Sequence, residues 1–557
     1  MGTSNWRQQP RALQLKKVAL IIASLGCSQG VMAFDIPTGE SDLKVRWDNT
    51  VKYSVAYRLS NPDEKVAAGD AMVPGFLAPG RQLDDGDRNF KRGLVSNRVD
   101  LFSELDVTYK NIGARVSGAA WYDDVYNRGN DNSSDSVNST SVGAGQFNIG
   151  TRDMMGRKAE VLDAFLFLRS DQSSETPYTV RLGKHTVLYG ESLFFGANGI
   201  ANAQAPMDLI KLLSVPGSQF KEIIRPVGQV STQVQVSSNV SVGAYYQYQW
   251  EKNRLPPSGS YLSDVDFVGA GTESLLPGTP VAMVKVEDLK PEAPQGGFQV
   301  RFKTDSSDVE YGFYAAQYND KNPAIMMNLG NNFRFVYPEK IKTVGASLST
   351  VIGEANVSAE VSYRWNAPIV SAPQVDIGLA GNSTNNPLYA VGKTAHAQVS
   401  AIYLMSKSPL WDGAELLGEL AWNRTLSVDK NPMAVDPNVT RDAMAFRMIF
   451  APQYFQVLSG LDLSVPIGIG YNPYGRSSAV FKFNGGVERG GDFSIGLKAD
   501  YQKKWKIAAN YTHFFGDTNA FLTPNTVNAP AGGLYMQTGA QSLHDRDFLS
   551  LSVQTTF

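Results

Sequence analysis

The chain has 557 residues, of which 43% are hydrophobic, 11% aromatic and 19% charged. Its 51 basic and 53 acidic side chains give a net charge of −2, which excludes the strongly basic surface of a nucleic-acid-binding protein. The sequence contains 1 cysteine, Cys27, so it has no disulfide framework.

The first residues have the pattern of a secretory signal peptide. The segment 7–17 carries four positive side chains and precedes the apolar run 18–26, after which small residues lead to Ala33. A segment of this kind is too short to span a bilayer and is removed on export. We therefore expect cleavage after Ala33, which removes Cys27 and leaves a mature chain of 34–557. No later stretch has the roughly 20 consecutive apolar residues of a membrane helix.

Segments in which apolar and polar residues alternate dominate the mature chain. In 355–365, Val357 and Val361 lie on one face, whereas Ser358, Glu360 and Ser362 lie on the other. The same period recurs at 98–110, 240–250, 493–501 and 549–557. A period of two predicts β-strands that have one apolar face each.

The connections between the candidate strands alternate between long and short. Long connections cover 60–96, 127–158, 190–228, 251–295, 319–340, 366–394, 425–440, 471–490 and 516–546. Tight periplasmic turns and long extracellular loops are typical of bacterial outer-membrane barrels. We therefore predict an all-β fold, a transmembrane antiparallel β-barrel of about 18 strands (16–18), with both termini on the periplasmic side. The least regular strand is the one near 456–470, which Pro466 interrupts.

The last strand ends on an aromatic residue, Phe557. Leu549, Leu551 and Val553 share its face, and polar residues occupy the other face. A terminal strand of this kind resembles the signal by which barrels are recognised for assembly. We expect the protein to reach the bacterial outer membrane, to contact its lipid, and to use the barrel assembly machinery through Phe557.

One long connection, 190–228, is unusually rich in apolar residues and glycine. Pro206 suits the first turn of a helix, and Pro216 with Gly217 suits its end. Between them, Asp208 and Lys211 form a narrow polar stripe and are three residues apart, a spacing at which side chains pair on a helix. A helix this apolar would be an adhesive patch in water, so we expect it to fold inward.

We predict that 190–222 is an inward-folded constriction or partial plug of the barrel. The strand that contains Val161, Phe165 and Phe167 offers an apolar partner, because these three residues would share a face. The predicted apolar lining consists of Phe165, Phe167, Phe194, Phe195, Ile200, Leu209, Ile210 and Leu213. The alternative is an extracellular cluster that packs only on other loops.

The residues that carry enzyme chemistry are not arranged in a recognisable motif. The four histidines are scattered, and none has a partner at metal-ligand spacing. Ser192 lacks the second glycine of a nucleophile elbow. The acidic run 84–89 begins like a calcium loop, but its twelfth position, counted from Asp85, is Ser96 and not the bidentate glutamate. We therefore expect no enzyme activity, no cofactor and no metal site, with weak divalent-ion binding at 84–89 as a minor alternative.

The segment "LYGESLFFGANGIANAQAPMDLIKLLSVPGSQFKEIIRPV", with "RLGKH" before it and "LDDGDRNFKRGLVSNRVDL" far upstream, resembles a proteobacterial outer-membrane family known as domain of unknown function 1302 (DUF1302). The resemblance covers the full mature chain, and Ala205 stands where the family more often has asparagine. The residues that match the family pattern are Tyr189, Gly190, Glu191, Ser192, Asn198, Gly199, Ile200, Pro206, Asp208, Lys211, Pro216, Gly217, Lys221 and Glu222. The resemblance implies a barrel, together with lipoprotein-like partners and exporters of the resistance-nodulation-division superfamily, often near genes for the degradation of hydrophobic compounds.

Four functions are compatible with the sequence. The first is an outer-membrane channel or transporter for hydrophobic or amphipathic small organic molecules, which the apolar block 190–222 favours. The second is an accessory barrel that serves an envelope export machinery. The third is a general porin for polar solutes, which the charges of both signs on the inward faces would suit. The last is an outer-membrane hydrolase, which no motif supports.

Overall fold

The computed structural model describes residues 34–557 except for 37–38, 40–41, 68–83, 134–138, 172, 216–217, 219, 276–282, 305–307, 329, 379, 526, 529–532 and 534. The predicted signal peptide, 1–33, lies outside the described residues. Within the described part of the chain, no helix is long and apolar enough to cross a bilayer.

Eighteen antiparallel strands form a closed barrel. In chain order they are β1 Leu43–Arg58, β2 Gly93–Tyr109, β3 Ile112–Asp123, β4 Arg157–Arg169, β5 Tyr178–His185, β6 Val227–Gln235, β7 Val240–Gln247, β8 Gln295–Lys303, β9 Glu310–Tyr318, β10 Ile341–Ile352, β11 Ala355–Pro368, β12 Val391–Met405, β13 Gly413–Lys430, β14 Asp442–Leu458, β15 Leu461–Ser464 with Ile467–Tyr474, β16 Gly491–Tyr501, β17 Trp505–Phe515 and β18 Phe548–Thr556. The predicted fold class and strand number are confirmed. β15 has two parts because Pro466, which has no backbone N–H to donate, interrupts it as expected.

The barrel closes where β1 meets the last strand. Tyr53 of β1 lies opposite Val99 of β2 on one side and opposite Val553 of β18 on the other. Phe557 and Asn49 exchange two backbone hydrogen bonds of 2.7 and 2.8 Å next to this seam. A short additional strand, Phe34–Ile36, pairs with β1 at residues 45–47. Closure satisfies the backbone groups that an open sheet would leave unpaired in lipid.

The barrel strands have an exposed apolar outer face and an inner face that is mostly polar. In β11, Val361 is 55% exposed whereas its neighbour Glu360 is only 2% exposed. Ser358, Ser362 and Arg364 are buried with Glu360, so the predicted faces of this strand are confirmed. The outward apolar band is what a barrel presents to lipid.

The long connections lie at one end of the barrel and the short turns at the other, as the sequence predicts. The long connections contain short helical segments: Glu64–Ala67, Asp85–Arg88, Val125–Asn127, Ile149–Thr151, Arg152–Gly156, Ile200–Ala203, Leu209–Ser214, Phe220–Ile223, Pro432–Ala434 and Phe483–Gly486. The described parts of these connections also contain two small sheets. One is made of Ser274–Leu275, Met283–Lys285, Ala324–Asn328, Asn332–Val336 and Gln374–Asp376, and the other of Leu522–Pro524 and Tyr535–Gln537. The extracellular loops bury a core of their own around Phe333, Phe335 and Tyr337.

Candidate functional site

The connection between β5 and β6, residues 186–226, leaves the wall and enters the barrel; we call it the inward loop. Glu360, on the inward face of β11, accepts hydrogen bonds from the backbone N–H groups of Glu191 at 2.7 Å and Ile200 at 2.6 Å. Glu419 of β13 accepts two more, from Phe194 at 2.5 Å and Phe195 at 2.9 Å. Two wall carboxylates therefore hold the first half of the inward loop through its backbone.

A third wall residue and a buried asparagine complete this attachment. Arg364 of β11 donates to the carbonyl oxygens of Asn198 and Gly199, each at 2.8 Å. The Asn198 side chain is fully buried; its Oδ1 lies 3.0 Å from Nδ1 of His396 and accepts from Asn423 at 3.1 Å. His396 and Asn423 belong to β12 and β13. The loop therefore fits against three neighbouring strands.

Gly190 shows why this segment needs glycine. Its φ of 96° lies in the left-handed region, which residues with a Cβ atom rarely adopt. A Cβ atom at Gly190 would also clash with the carboxylate of Glu360. Substitution at Gly190 would thus displace the wall residue that anchors the loop.

The second half of the inward loop is attached to the opposite side of the barrel. Lys221 forms a salt bridge with Glu104 of β2, and its ammonium group lies 4.5 Å from the ring centroid of Phe102. β2 and β11 are half the barrel apart in an 18-strand circuit. The inward loop therefore crosses the lumen from one wall to the other, and the prediction of an extracellular cluster that packs only on other loops does not describe it.

The apolar residues of the first half pack against the wall. Phe195 is buried against Phe483, with ring centroids 5.5 Å apart, and against small strand residues such as Ala421 and Ala445. Ile200 is buried among Tyr189, Tyr245 and Tyr314. Phe194 is partly buried beside Phe195. These predicted lining residues lie inside the barrel, where Phe195 and Ile200 fill contacts between the loop and the wall.

The helix Leu209–Ser214 buries its polar side and exposes part of its apolar side, which is the reverse of what its composition predicts. Its polar residues, Asp208 and Lys211, are only 2% exposed, whereas Leu212 and Leu213 are 49% and 46% exposed. Ile210 is buried in the core beneath the extracellular loops, and Leu209 is partly buried. The helix therefore presents two leucines, one of them the predicted Leu213, to open space.

The partners of Asp208 and Lys211 explain this orientation. Asp208 caps the helix by accepting from the N–H of Lys211 at 3.0 Å, and its carboxylate pairs with Arg254 at 2.7 Å. Lys211 pairs with Glu222 at 3.5 Å, and its ammonium lies 5.3 Å from the ring centroid of Trp121 of β3. The predicted side-chain pair between Asp208 and Lys211 is wrong, because each charge has a better partner from elsewhere in the chain.

The predicted helix boundaries are partly corrected. Pro206 precedes the helix by three residues, and its carbonyl accepts from the N–H of Arg225 at 2.8 Å. The helix ends at Ser214. Pro216 and Gly217, which were expected to end it, lie outside the described residues.

Phe165 and Phe167 of β4 face the lumen, but Val161 does not share their face. Val161 is 55% exposed on the outer surface, because a bulge places Leu162 and Asp163 opposite Ser117 and reverses the alternation. The rings of Phe165 and Phe167 lie 6.4 Å apart, beside the guanidinium groups of Arg181 and Arg169. The prediction that Val161 shares an inward face of β4 with the phenylalanines and packs against the loop helix is therefore wrong. Phe165 and Phe167 pack against each other and against the two arginines.

An apolar cavity of about 150 Å³ lies at the extracellular mouth, and the sequence reasoning did not find it. Its walls come from several loops and include Phe267, Ile325, Ile369, Val370, Phe481 and Phe521. Ala197 and Asn202 of the inward loop, together with Arg364, also line it. Lys321 donates to the carbonyl of Asn202 at 2.9 Å, and burial lowers the pKa of this lysine to about 8. The cavity and the inward loop are thus parts of one site.

Two buried arginines hold the extracellular loops together; we call Arg58, Arg546, Asp84, Asp87 and Asp545 the loop clasp. Arg58 donates to the carbonyl of Phe90 at 2.6 Å and to the carboxylates of Asp87 and Asp545 at 2.6 and 2.8 Å. Arg546 pairs with Asp84 and donates to the carbonyl of Tyr261 at 2.8 Å. Burial raises the pKa of Asp84 well above its usual range and that of Asp545 to about 6.

Acidic residues of the run 84–89 have structural partners in the loop clasp. Asp84 caps the helical turn Asp85–Arg88 by accepting from the N–H of Asp87. Within the residues that the structure describes, no group of three or more histidine, cysteine, aspartate or glutamate side chains is placed to hold a metal ion. The acids of this run that belong to the loop clasp instead face the guanidinium groups of Arg58 and Arg546.

A model of the family described as protein of unknown function (DUF1302) matches residues 14–557. The chain belongs to this family. No curated protein sequence matches it. The resemblance to DUF1302 is therefore confirmed over essentially the whole chain.

Several solved outer-membrane proteins have a similar outline at low sequence identity. The OccAB4 structure of Acinetobacter baumannii has 11% identity and a TM-score of 0.40, with 94% of this chain and 100% of that chain covered. DcaP of the same species, an outer-membrane channel, has 11% identity and a TM-score of 0.36 over 95% and 100%. OccK2 of Pseudomonas aeruginosa in complex with glucuronate has 9% identity and a TM-score of 0.39 over 92% and 98%.

The residues of the family motif separate into two groups in the structure. Gly190, Glu191, Asn198 and Gly199 lie against β8 and β11 to β13, where Glu191 pairs with Arg301 of β8 at 2.7 Å. The described motif residues that follow Pro206, namely Asp208, Lys211, Lys221 and Glu222, are held beside β2 to β4. The motif therefore fixes both ends of a crossing segment.

Proposed function

We propose that the protein is an outer-membrane channel for apolar or amphipathic small organic molecules. The observation that carries this proposal is the apolar cavity at the extracellular mouth, which shares Ala197 and Asn202 with the inward loop. An apolar cavity of this size holds an aromatic ring such as benzene, and the remainder of a larger solute can project from its open side. A solute held there would already be in contact with the segment that crosses the lumen.

Binding in the cavity would be driven by removal of apolar surface from water. Burying about 200 Å² of solute surface is worth about 5 kcal/mol, at roughly 25 cal/mol per Å². The inward loop then separates this site from the lumen below, and the exposed Leu212 and Leu213 extend the apolar surface along the crossing segment. Movement of the inward loop would pass a solute from the cavity to these leucines without returning it to bulk water.

A general porin for polar solutes is the second candidate, and the inward charges favour it. Lumen-facing pairs such as Arg115 with Asp106 at 2.6 Å and Arg447 with Asp492 at 2.5 Å present both signs of charge. A wide aqueous lumen tolerates such pairs, since wetted surface ion pairs need no apolar shielding. The two candidates differ in what the mouth should bind.

The test is a binding titration of the purified protein with the apolar fluorophore N-phenyl-1-naphthylamine. Phe481 lines the cavity and is partly exposed, so Phe481→Asp introduces a charge without emptying a tightly packed core. We expect its Kd to rise at least about tenfold, which corresponds to about 1.4 kcal/mol. Ile377→Asp is the matched control, because Ile377 is an exposed apolar loop residue outside the cavity.

Two results would argue against the apolar channel. One is equal affinity of the wild type and Phe481→Asp, which would remove the cavity as the binding site. The other is a wild type that does not bind the fluorophore but gives rapid swelling of liposomes in small sugars, which would favour the general porin.

A further inference from the structure

The wall of the barrel has a step between β4 and β5. β4 pairs with β3 along residues 157–168, but β5 pairs with β4 only from Ala164 to Arg169. Residues 157–163 therefore have a neighbouring strand on one side only. At roughly 3.3 Å per residue, this free edge is about 20 Å long.

Local features create the step. The bulge at Leu162 and Asp163 bends β4 at the point where pairing with β5 stops. Gly183 of β5 has a φ of 125°, and a Cβ atom there would clash with the carbonyl of Ala164. After His185 the chain turns into the lumen as the inward loop. The strand that would otherwise cover the free edge is thus the segment that plugs the barrel.

The free edge carries backbone groups that hydrocarbon does not satisfy. Among the described hydrogen bonds, the one that reaches this edge from β5 is the bond from Nζ of Lys184 to the carbonyl of Val161, at 2.6 Å. A barrel wall in lipid has no open sheet edge unless water or protein meets it. The step is therefore a place where the aqueous lumen and the lipid phase come together.

The surroundings of the step are amphipathic. On the outside, Val161 is 55% exposed, and Leu188, which lies at the start of the inward loop just beyond the end of β5, is 37% exposed. Lys158 on the lumen side and Lys184 on the lipid side form no salt bridge with the described residues. The neighbouring Arg254, in contrast, is already paired with Glu160 and Asp208. A cation on each face of an apolar opening suits a molecule with an apolar body and one carboxylate.

We propose that the step is a lateral portal through which amphipathic carboxylates pass between the lumen and the lipid of the outer membrane. The proposal rests on the proposed function, since it concerns the route that a solute takes after the extracellular cavity. A passage straight through the barrel to the periplasm is the alternative route. The portal spares an apolar solute the crossing of a polar lumen.

The first experiment blocks the portal from the lipid side. Ala159 and Ala120 lie opposite each other in β4 and β3, so they share a depth, but only Ala159 belongs to the free edge. Ala159→Cys and Ala120→Cys are each labelled with a bulky maleimide in cells that express the full chain, and uptake of 11-(dansylamino)undecanoate is followed by fluorescence. We expect uptake to fall about tenfold in the labelled Ala159→Cys protein and to stay at the wild-type rate in labelled Ala120→Cys, because only the label on the free edge obstructs the portal.

Binding of N-phenyl-1-naphthylamine to the same proteins separates this proposal from the proposed function. Unchanged binding with unchanged uptake in labelled Ala159→Cys would overturn the portal and leave the apolar channel intact. Disulfide-linked dimers of Ala159→Cys would also overturn it, because the free edge would then be an interface between two copies.

The second experiment tests the charge of the solute. In the double variant Lys158→Gln with Lys184→Gln, uptake of the carboxylate should fall about tenfold, whereas uptake of its methyl ester should not change, because only the carboxylate is attracted by the lysines. An equal fall for both compounds, or no fall for either, would show that the lysines do not select an anionic group.

Discussion

Replacing Glu360 by alanine should release the inward loop from the wall. The Glu360 carboxylate accepts the backbone N–H groups of Glu191 and Ile200, at 2.7 and 2.6 Å, and both bonds are removed by the substitution. A buried donor left without an acceptor costs about 1–3 kcal/mol. For two donors this amounts to roughly 2–6 kcal/mol, so the equilibrium between the released and the attached loop should shift by about 30-fold to 10⁴-fold.

The assay is single-channel recording in planar bilayers, combined with limited proteolysis of the loop. We expect Glu360→Ala to give larger and noisier conductance and to expose the inward loop to cleavage. Ser358→Ala is the control, since Ser358 lies on the same face of β11 two residues away and bonds to Ser349 at 3.1 Å instead of to the loop. If Glu360→Ala had the conductance, the noise and the protease resistance of the wild type, the carboxylate would not be an anchor.

The loop clasp leads to two further predictions. Arg546→Met leaves Asp84 buried without its partner, which typically costs about 3–5 kcal/mol. Protease should therefore cut the extracellular loops faster in this variant than in the wild type or in the control Arg92→Met, whose replaced side chain is exposed. Equal rates of cleavage in all three proteins would refute this. In the folded loops the pKa of Asp545 is raised to about 6. The folded loops therefore keep the proton of Asp545 at pH values at which the opened loops have already lost it. Stability of these loops should therefore fall as the pH rises from about 4 to 6, because the opened state binds fewer protons over that range. Hydrogen exchange of residues 516–547, corrected for the intrinsic rate, measures this slope; a slope of the opposite sign, or an unchanged slope in Asp545→Asn, would contradict the assignment.

The barrel could be predicted from the sequence because its signals are local. The alternation of Val357, Ser358 and Glu360 indicates the two faces of one strand. The length of a loop indicates whether it lies on the extracellular or the periplasmic side of the membrane. Pro466 marked the interrupted strand correctly. These features depend on neighbouring residues, so no knowledge of the tertiary structure was needed.

The details of the site depend on contacts that are distant in the chain. The burial of Asp208 and Lys211 follows from Arg254, Glu222 and Trp121, which no spacing within the helix could identify. The bulge beside Val161 reversed a face that simple alternation predicted. The extracellular cavity is assembled from several loops that are far apart in the sequence. Sequence reasoning therefore found the crossing segment but not the surface that it presents.

The most direct test of the central claim is deletion of Ser192 to Ser214, which removes the crossing segment and leaves the barrel strands in place. Conductance in planar bilayers and uptake of N-phenyl-1-naphthylamine by cells are measured together, with wild-type protein at equal abundance. We predict a larger conductance and an altered rate of fluorophore entry, because the segment both narrows the lumen and forms part of the apolar site. Wild-type values for both quantities would contradict the conclusion that the inward loop controls passage through this barrel.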